Sequence, residues 1–302
     1  MIDLRSSIND LKQQKNAVIL AHYYTEGEVQ DIADYVGDSY YLSKMARQVS
    51  QETIVLCGVQ FMGESAKILN PEKTVIMPDN SADCPMAHMV DEEQVRKVRK
   101  DYEDLAVVCY INSTAEMKAL ADVCVTSSNA LKIVKALPNK NIFFIPDKNL
   151  GRYIAKLVPE KNFIFNEGFC PTHQNLERSD ILHALTLYPK AKVVVHPECT
   201  EEVIELADYV GSTSGIIEFA TKCEDTDFIV CTEHGILHQL KKENPEKNFY
   251  FTQYVPICPN MKKNTLEKIK YALENMEEPI ELDAQLIQAS KNALNKMHQL
   301  AE

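Results

Sequence analysis

Cys84, Cys170 and Cys258 each precede a proline, and none of the other six cysteines does. They stand 86 and 88 residues apart and so mark one position in an internal repeat. Thiolates are soft ligands. Three of them brought to one centre from separate units suit a metal or iron–sulfur site with one coordination position left open, whereas a structural zinc knuckle takes its ligands from closely spaced pairs. Further reactive side chains repeat with the same offsets. The runs Ile19 to Tyr24, Val107 to Asn112 and Val193 to Glu198 are apolar stretches that end abruptly in polar groups, and each is followed by an acidic residue: Glu28, Glu116, Glu202. Then come Ala33-Asp34, Ala121-Asp122 and Ala207-Asp208, and five residues later a hydroxyl: Ser39, Ser127, Thr213. Lys73, Lys161 and Lys247 keep the offsets too.

In open parallel α/β units, ligands sit beyond the carboxyl ends of the strands. Those ends carry His22 and Tyr24, Tyr110 and Asn112, His196 and Glu198. Collected in one pocket with the hydroxyls and three thiolates, they suit a substrate rich in carboxylate and phosphate oxygens, handled by a Lewis acid and proton-transfer groups. Plainer readings stand beside these. Any one Cys-Pro taken alone reads as a buried cysteine before a proline-stopped strand; three at equivalent positions read as ligands of a [4Fe–4S] cluster with one iron free or of an open catalytic zinc. Gly211 to Gly215, before an apolar helix, reads equally as an anion cradle or a plain helix cap. Cys57, Cys109, Cys124, Cys199, Cys223 and Cys231 read as packing residues. Asp34, Asp122 and Asp208 read as structural helix-end residues.

The elements that must position these groups alternate strand and helix, which implies parallel sheets covered on both faces. In the first unit, Ala17 to His22 is a fully buried strand. Thr25 and Glu28 form a capping box opening a helix to about Asp34, and Tyr35 to Gly37 returns as a turn. A helix over 40–49, a strand over 53–57, a helix over 61–69 and a strand over 73–77 lead to the cysteine loop. The second unit repeats the capping box with Ser113 and Glu116; in the third, Cys199 replaces the hydroxyl and weakens it. Charged amphipathic helices are expected over 2–15, 91–104, 177–187 and 266–275. A closing helix over 283–299 is expected to return to the first unit. The expected fold is therefore α/β: three pseudo-threefold-related three-layer α/β/α units with short parallel sheets around a central active site. The boundaries are 1–84, completed by helices over 260–302, then 85–170 and 171–259.

The chain has 302 residues, 45% of them hydrophobic, and a net charge of −12, which argues against a nucleic-acid partner. Its apolar runs are strand-sized, so no membrane association is expected. Met1 to Arg5 shows no signal pattern, and nine cysteines spread through apolar segments do not read as a disulfide framework. A cytoplasmic location is expected.

The motifs in order are AHYY at 21–24, GDS at 37–39, CPM at 84–86, YIN at 110–112, TSSNA at 126–130, GFCPTH at 168–173, HPEC at 196–199, GSTSG at 211–215 and CPNM at 258–261. With these spacings the whole chain resembles the quinolinate synthase family, iron–sulfur enzymes of de novo NAD biosynthesis. The resemblance implies that Cys84, Cys170 and Cys258 hold a [4Fe–4S] cluster. It further implies that iminoaspartate condenses with dihydroxyacetone phosphate to quinolinate, with loss of phosphate and two waters. By the same likeness, His22, Ser39, Tyr110, Asn112, Ser127, His173, His196, Glu198 and Thr213 contact substrate, with Ile111 and Pro197 inside the same motifs. Tyr24 and Glu198 are expected to move protons, with His22, Tyr110 and His196 as further catalytic groups. An aspartate oxidase or dehydrogenase is the implied source of iminoaspartate. Some members carry a CxxCxxC thiol switch at the third ligand; Thr252 and Val255 occupy those places here, so no such switch is expected. Rival readings are a hydroxy-acid dehydratase on the same fold, an iron–sulfur regulatory module without turnover, and zinc in place of the cluster.

Overall fold

The computed structural model describes residues 4–302. The chain opens with α1 (Leu4–Gln14), β1 (Ala17–His22), α2 (Gly27–Ile32), β2 (Tyr35–Gly37), α3 (Ser39–Gln48), β3 (Thr53–Cys57), α4 (Gln60–Leu69) and β4 (Thr74–Ile76). The pattern recurs as α5 (Glu92–Asp101), β5 (Leu105–Tyr110), α6 (Ala115–Leu120), β6 (Val123–Val125), α7 (Ala130–Ala136), β7 (Asn141–Ile145), α8 (Lys148–Leu157) and β8 (Asn162–Phe165). After α9 (Pro171–Gln174) it recurs again as α10 (Arg178–Leu187), β9 (Lys192–Val195), α11 (Glu201–Ile204), β10 (Tyr209–Val210), α12 (Thr213–Lys222), β11 (Asp227–Cys231), α13 (Ile236–Glu243) and β12 (Asn248–Tyr250). Helices α14 (Leu266–Asn275) and α15 (Ala284–Ala301) follow. Of the helix expected over 2–15, Ile2 and Asp3 lie outside the described residues.

Among the described residues the strands form three four-stranded sheets with one order: β2-β1-β3-β4, β6-β5-β7-β8 and β10-β9-β11-β12. Every pairing is parallel. The fold is thus α/β, built from three short parallel sheets flanked by helices. The central strands β1 and β3 are buried along their whole length, as their unbroken Val/Ile/Leu content requires of a strand covered on both faces. No helix is long and apolar enough to cross a membrane among the described residues.

Packing ties the sheets together unequally. One apolar core runs continuously from a face of the first sheet, through Leu20 and Leu56, to the second sheet at Val107 and Phe143. The other face of the first sheet packs on Ile8 of α1 and on Leu266, Ile269 and Leu273 of α14. The third sheet has a separate core on each face. The closing helix α15 does not return to the first sheet alone. It lies across α6, β6 and α7 as well as α4, and His298 reaches Ser43 Oγ of α3 at 3.2 Å. Its buried stripe of Ala293, Leu294 and Met297 joins the core shared by the first two sheets, which offers more apolar area than either face alone.

The repeated aspartates and lysines have a common structural task. Asp34, Asp122 and Asp208 each accept the backbone N–H of the central strand, from Ile19, Val107 and Val193, at 2.8, 2.7 and 2.8 Å. Each also pairs with a cation: Lys12 at 2.7 Å, Arg99 at 2.9 Å and Lys192 at 3.1 Å. Lys73, Lys161 and Lys247 donate to the carbonyls of Val49, Leu137 and Cys223, the C-cap residues of α3, α7 and α12. A cation there satisfies the orphan carbonyls of a helix end and complements its dipole.

Two local expectations are corrected. Tyr35 to Gly37 is a strand, pairing with Leu20, Ala21 and His22, and is too short to show alternation in sequence. The capping boxes do not form. Thr25 Oγ1 donates to His22 O and Ser113 Oγ to Tyr110 O, both at 2.9 Å, because the turn after each strand leaves that carbonyl without a sheet partner. The caps fall one residue later, at Glu26 and Thr114.

Replacing Asp122 by alanine is expected to lower unfolding stability by about 1–3 kcal/mol, since the change removes a charged acceptor from a strand N–H. Asn should recover part of that loss. Urea denaturation of the three proteins, with unchanged slope, measures it.

Candidate functional site

Strands β1, β5 and β9 deliver their repeat-equivalent ends, His22, Tyr110 and His196, to one enclosed pocket of about 160 Å³. The turn after each adds Tyr24, Asn112 and Glu198. The starts of α3 and α12 and the loop ahead of α7 add Ser39, Thr213 and Ser127. The floor carries Cys84, Cys170 and Cys258, with His173 one turn beyond the second cysteine. Of the residues expected at the site, Ile111 and Pro197 are not on this wall. Ile111 turns to the opposite side from its neighbours, into apolar surroundings with Leu42 and Met62, as alternation along an extended chain demands.

A larger cleft, of about 920 Å³, opens on the surface between α8 and the α10–α11 layer. Lys148, Arg152 and Lys156 line one part of it and Glu201, Glu202 and Glu205 another, so its charges balance. It contains none of the repeated thiols. The enclosed pocket, not the larger volume, gathers the chemistry.

The three cysteines of the pocket differ from the rest. Cys57, Cys109, Cys124, Cys199 and Cys231 are fully buried in apolar cores, and Cys223 sits near the surface against Asp225. Cys84, Cys170 and Cys258 are only partly covered and face the shared cavity. Burial, and then Glu198, push the Cys84 thiol up to about 12 and Cys170 well above the usual thiol range. Burial also raises Cys258, with Glu233 adding to it. Thiols in such a setting ionise when a cationic centre binds them. Three convergent soft donors from three separate loops therefore fit an iron–sulfur cluster with one open position. A second donor set overlaps them: ligand atoms of Cys170, His173 and Glu198 lie within 4.8 Å of one another.

His22 and His196 are held in their neutral form. Burial depresses His22 and His196 to about 3, against the raising influence of Glu198. Their tautomers follow from a repeated contact. The N–H of Tyr24 donates to His22 Nδ1 at 3.1 Å, and that of Glu198 to His196 Nδ1 at 3.3 Å. Nδ1 is therefore the acceptor in both rings, which leaves Nε2 as the N–H. Each histidine is equipped to donate to an oxygen without carrying charge.

Glu198 is the opposite case. Burial alone would raise its carboxyl, but the hydrogen bonds of His173 and then Tyr110 hold it down to about 2. Its Oε2 lies 2.9 Å from His173 Nδ1, while Oε1 is buried without a partner. Asn112 Oδ1 is likewise buried and unpaired. Two orphan acceptors on one pocket wall are costly unless a ligand satisfies them. Burial, and then Glu198, keep the phenols of Tyr24 and Tyr110 protonated well above 10.

Three residues were missed from sequence. Glu233 is fully buried on the pocket wall and accepts from Cys258 N at 3.1 Å, Gly235 N at 2.6 Å and Lys262 Nζ at 3.1 Å. Lys262 also donates to Tyr24 O at 2.8 Å, tying the third cysteine loop to the turn after β1. Thr232, beside it, bonds both Tyr24 and His173. The signal was present: Val59, Asp147 and Glu233 are repeat-equivalent positions two residues past β3, β7 and β11. Gly235 is needed where it stands, since a Cβ there would lie 2.7 Å from Tyr24 Cα.

Comparison with known proteins comes to the same place. A family model described as Quinolinate synthetase A protein matches residues 6–299. A protein named quinolinate synthase from Clostridioides difficile (strain 630) is 54% identical over 300 residues, 99% of each chain. Others so named, from Caldicellulosiruptor saccharolyticus and Fusobacterium nucleatum subsp. nucleatum, are each 51% identical over 298 residues, covering 99% of this chain and 98% and 99% of theirs.

Because the folded state keeps His22 and His196 neutral to about 3 while the unfolded chain protonates them near 6.5, their contribution is complete above pH 6.5 and is lost as pH falls below it. Each is expected to cost about 1 kcal/mol of stability per pH unit between pH 6 and 5. The slope of denaturation free energy against pH in that window should flatten by about that amount in His196→Gln.

Proposed function

The chain belongs to the Quinolinate synthetase A protein family, and from that premise we propose that it condenses iminoaspartate with dihydroxyacetone phosphate to quinolinate, releasing phosphate and two waters. The observation that carries the reading is the pairing of three convergent thiols with a buried, partnerless carboxylate oxygen of Glu198 in one pocket. When bound by Cys84, Cys170 and Cys258, a [4Fe–4S] cluster would supply a Lewis-acidic iron that polarises a substrate oxygen. The condensation has no net redox, so no electron transfer is asked of it.

The protein's own groups divide the remaining work. Glu198, ionised at neutral pH, takes a proton from carbon during isomerisation and ring closure. Tyr24 and Tyr110, kept protonated, give protons to departing hydroxyls. His22 and His196 donate Nε2–H to substrate carboxylates. Asn112 Oδ1 accepts the imine or enamine N–H, which meets its missing partner. Ser39, Ser127 and Thr213, two of them at the starts of α3 and α12, hold the phosphate until elimination. His173 braces Glu198, and Ile111 and Pro197 act from behind the wall. The chain divides functionally at 1–84 with 260–302, 85–170 and 171–259, each part giving one cysteine. Free cysteines throughout favour the cytoplasm, where an aspartate oxidase or dehydrogenase would supply the unstable imine.

A second reading is favoured by the close grouping of Cys170, His173 and Glu198, which could hold a single zinc ion. It leaves Cys84 and Cys258 without a task and consumes the carboxylate.

Protein purified without oxygen, given iminoaspartate formed in place and dihydroxyacetone phosphate, should yield quinolinate and contain four irons with matching sulfide per chain, as expected for a [4Fe–4S] cluster. Cys84→Ala should lose cluster and product together. Glu198→Gln should keep the cluster while turnover falls about a hundredfold or more. Zinc without sulfide would favour the second reading, and dehydration of a simple hydroxy acid without quinolinate would move the assignment to a dehydratase.

A further inference from the structure

The three thiols reach the pocket floor from loops that are held in one repeated way. The N–H groups of Gln60, Lys148 and His234 donate to the carbonyls of Ala82, Gly168 and Pro256, each at 2.8 Å. Every one of these bridges stops two residues short of its cysteine, so further contacts must aim the thiol. Cys84 and Cys170 find them locally. Their carbonyls close short helical turns, accepting from Ala87 N at 2.9 Å and Gln174 N at 2.8 Å, and the Asp83 side chain accepts the Cys84 N–H at 2.7 Å. Cys258 has less. Ile257 precedes it, half exposed and with no polar side-chain atom, and the bond from Lys262 N to the Cys258 carbonyl is longer, at 3.3 Å. The Cys258 N–H goes instead to Glu233 Oε1 at 3.1 Å, 25 residues back along the chain.

Glu233 is wholly buried, and the same Oε1 takes the ammonium of Lys262 at 3.1 Å, while Oε2 takes the Gly235 N–H at 2.6 Å. Lys262 Nζ also donates to Tyr24 O at 2.8 Å. One carboxylate and one ammonium thus join the turn after β11, the third cysteine loop and the turn after β1. We infer that Glu233 and Lys262 are positioning residues for the third thiol: the pair sets where Cys258 stands against Cys84 and Cys170 and locks it to the turn that carries Tyr24. A carboxylate on the backbone of a ligand, and not on its sulfur, restricts the thiol while leaving it free to bind. A buried charge pair is a poor source of stability compared with apolar side chains of the same size, which favours a role in arrangement. The inference rests on the cluster proposed above and deepens it.

The test compares anaerobically purified holoprotein as wild type, Lys262→Met, Glu233→Gln and Asp122→Ala, the last a destabilised control outside the pocket. Iron and sulfide per chain, melting temperature and the rate of iron release to excess EDTA are measured on each. In Lys262→Met, iron release should quicken about tenfold or more, because the outer partners of a metal ligand contribute that much to its hold. Asp122→Ala should release iron within about twofold of wild type, since it is distant from the cysteine loops. A methionine protein that folds but loads no iron gives the stronger form of the same result. If it fails to fold, Glu233→Gln decides: its amide oxygen can still take the Cys258 N–H but loses the charged partner of Lys262, and release should quicken at least about threefold. Release that is unchanged in Lys262→Met, or raised no more than in Asp122→Ala, would overturn the inference, as would failure of both pair variants to fold, and either would leave the pair a structural contact. A wild type without iron and sulfide removes the cluster reading, and this inference with it. A cluster-bearing wild type with an unaffected methionine protein removes this inference alone.

Discussion

A parallel sheet ends all its strands on one edge, and the polar side chains just past that edge cannot be satisfied by the sheet itself. Here that constraint is met across sheets. Tyr24, past the first sheet, bonds Thr213 and Thr232 of the third. Gln30 donates to Gly235 O at 3.1 Å, and Ser214 to Asp38 Oδ2 at 2.5 Å. Asn149, past the second sheet, donates to Glu198 O at 3.0 Å. The pocket exists because these ends use one another as partners. Glu198 Oε1 and Asn112 Oδ1, both on the pocket wall, are among the buried polar atoms that find no partner.

The same burial decides the electrostatics. His22 and His196 are neutral, and Lys262 is spent on Glu233. The pocket therefore offers oriented N–H and O–H groups and helix starts rather than side-chain cations. Such preorganised dipoles stabilise developing charge without holding the ground state too tightly. Glu198 keeps its charge because the groups around it compensate burial.

Outside the pocket, the repeat is maintained by simpler means. The aspartate on each central strand and the lysine on each helix end are the same two contacts made three times. The aspartates hold the segments just after α2, α6 and α11 to the central strands, and the lysines close the C-terminal ends of α3, α7 and α12. Their recurrence in sequence reflects this local geometry and not the chemistry, whereas the Cys-Pro positions recur for the pocket.

Much of this was legible in the sequence, for definite reasons. Burial on both faces writes a strand as an unbroken apolar run, so β1 and β3 could be read to the residue. Duplication writes equivalent positions at equal offsets, so the three thiols, the strand-end histidines and the helix-start hydroxyls could be assigned to one centre before any coordinates. What the offsets do not contain is contact between units. The placement of α15 across two sheets, the turn hydroxyls of Thr25 and Ser113 in place of capping boxes, and the Glu233–Lys262 tie all depend on which surfaces meet. Protonation is of the same kind. Sequence supplied the histidines, the tyrosines and Glu198, but desolvation and neighbours from distant segments decided which are charged, because both effects depend on distance in space and not along the chain.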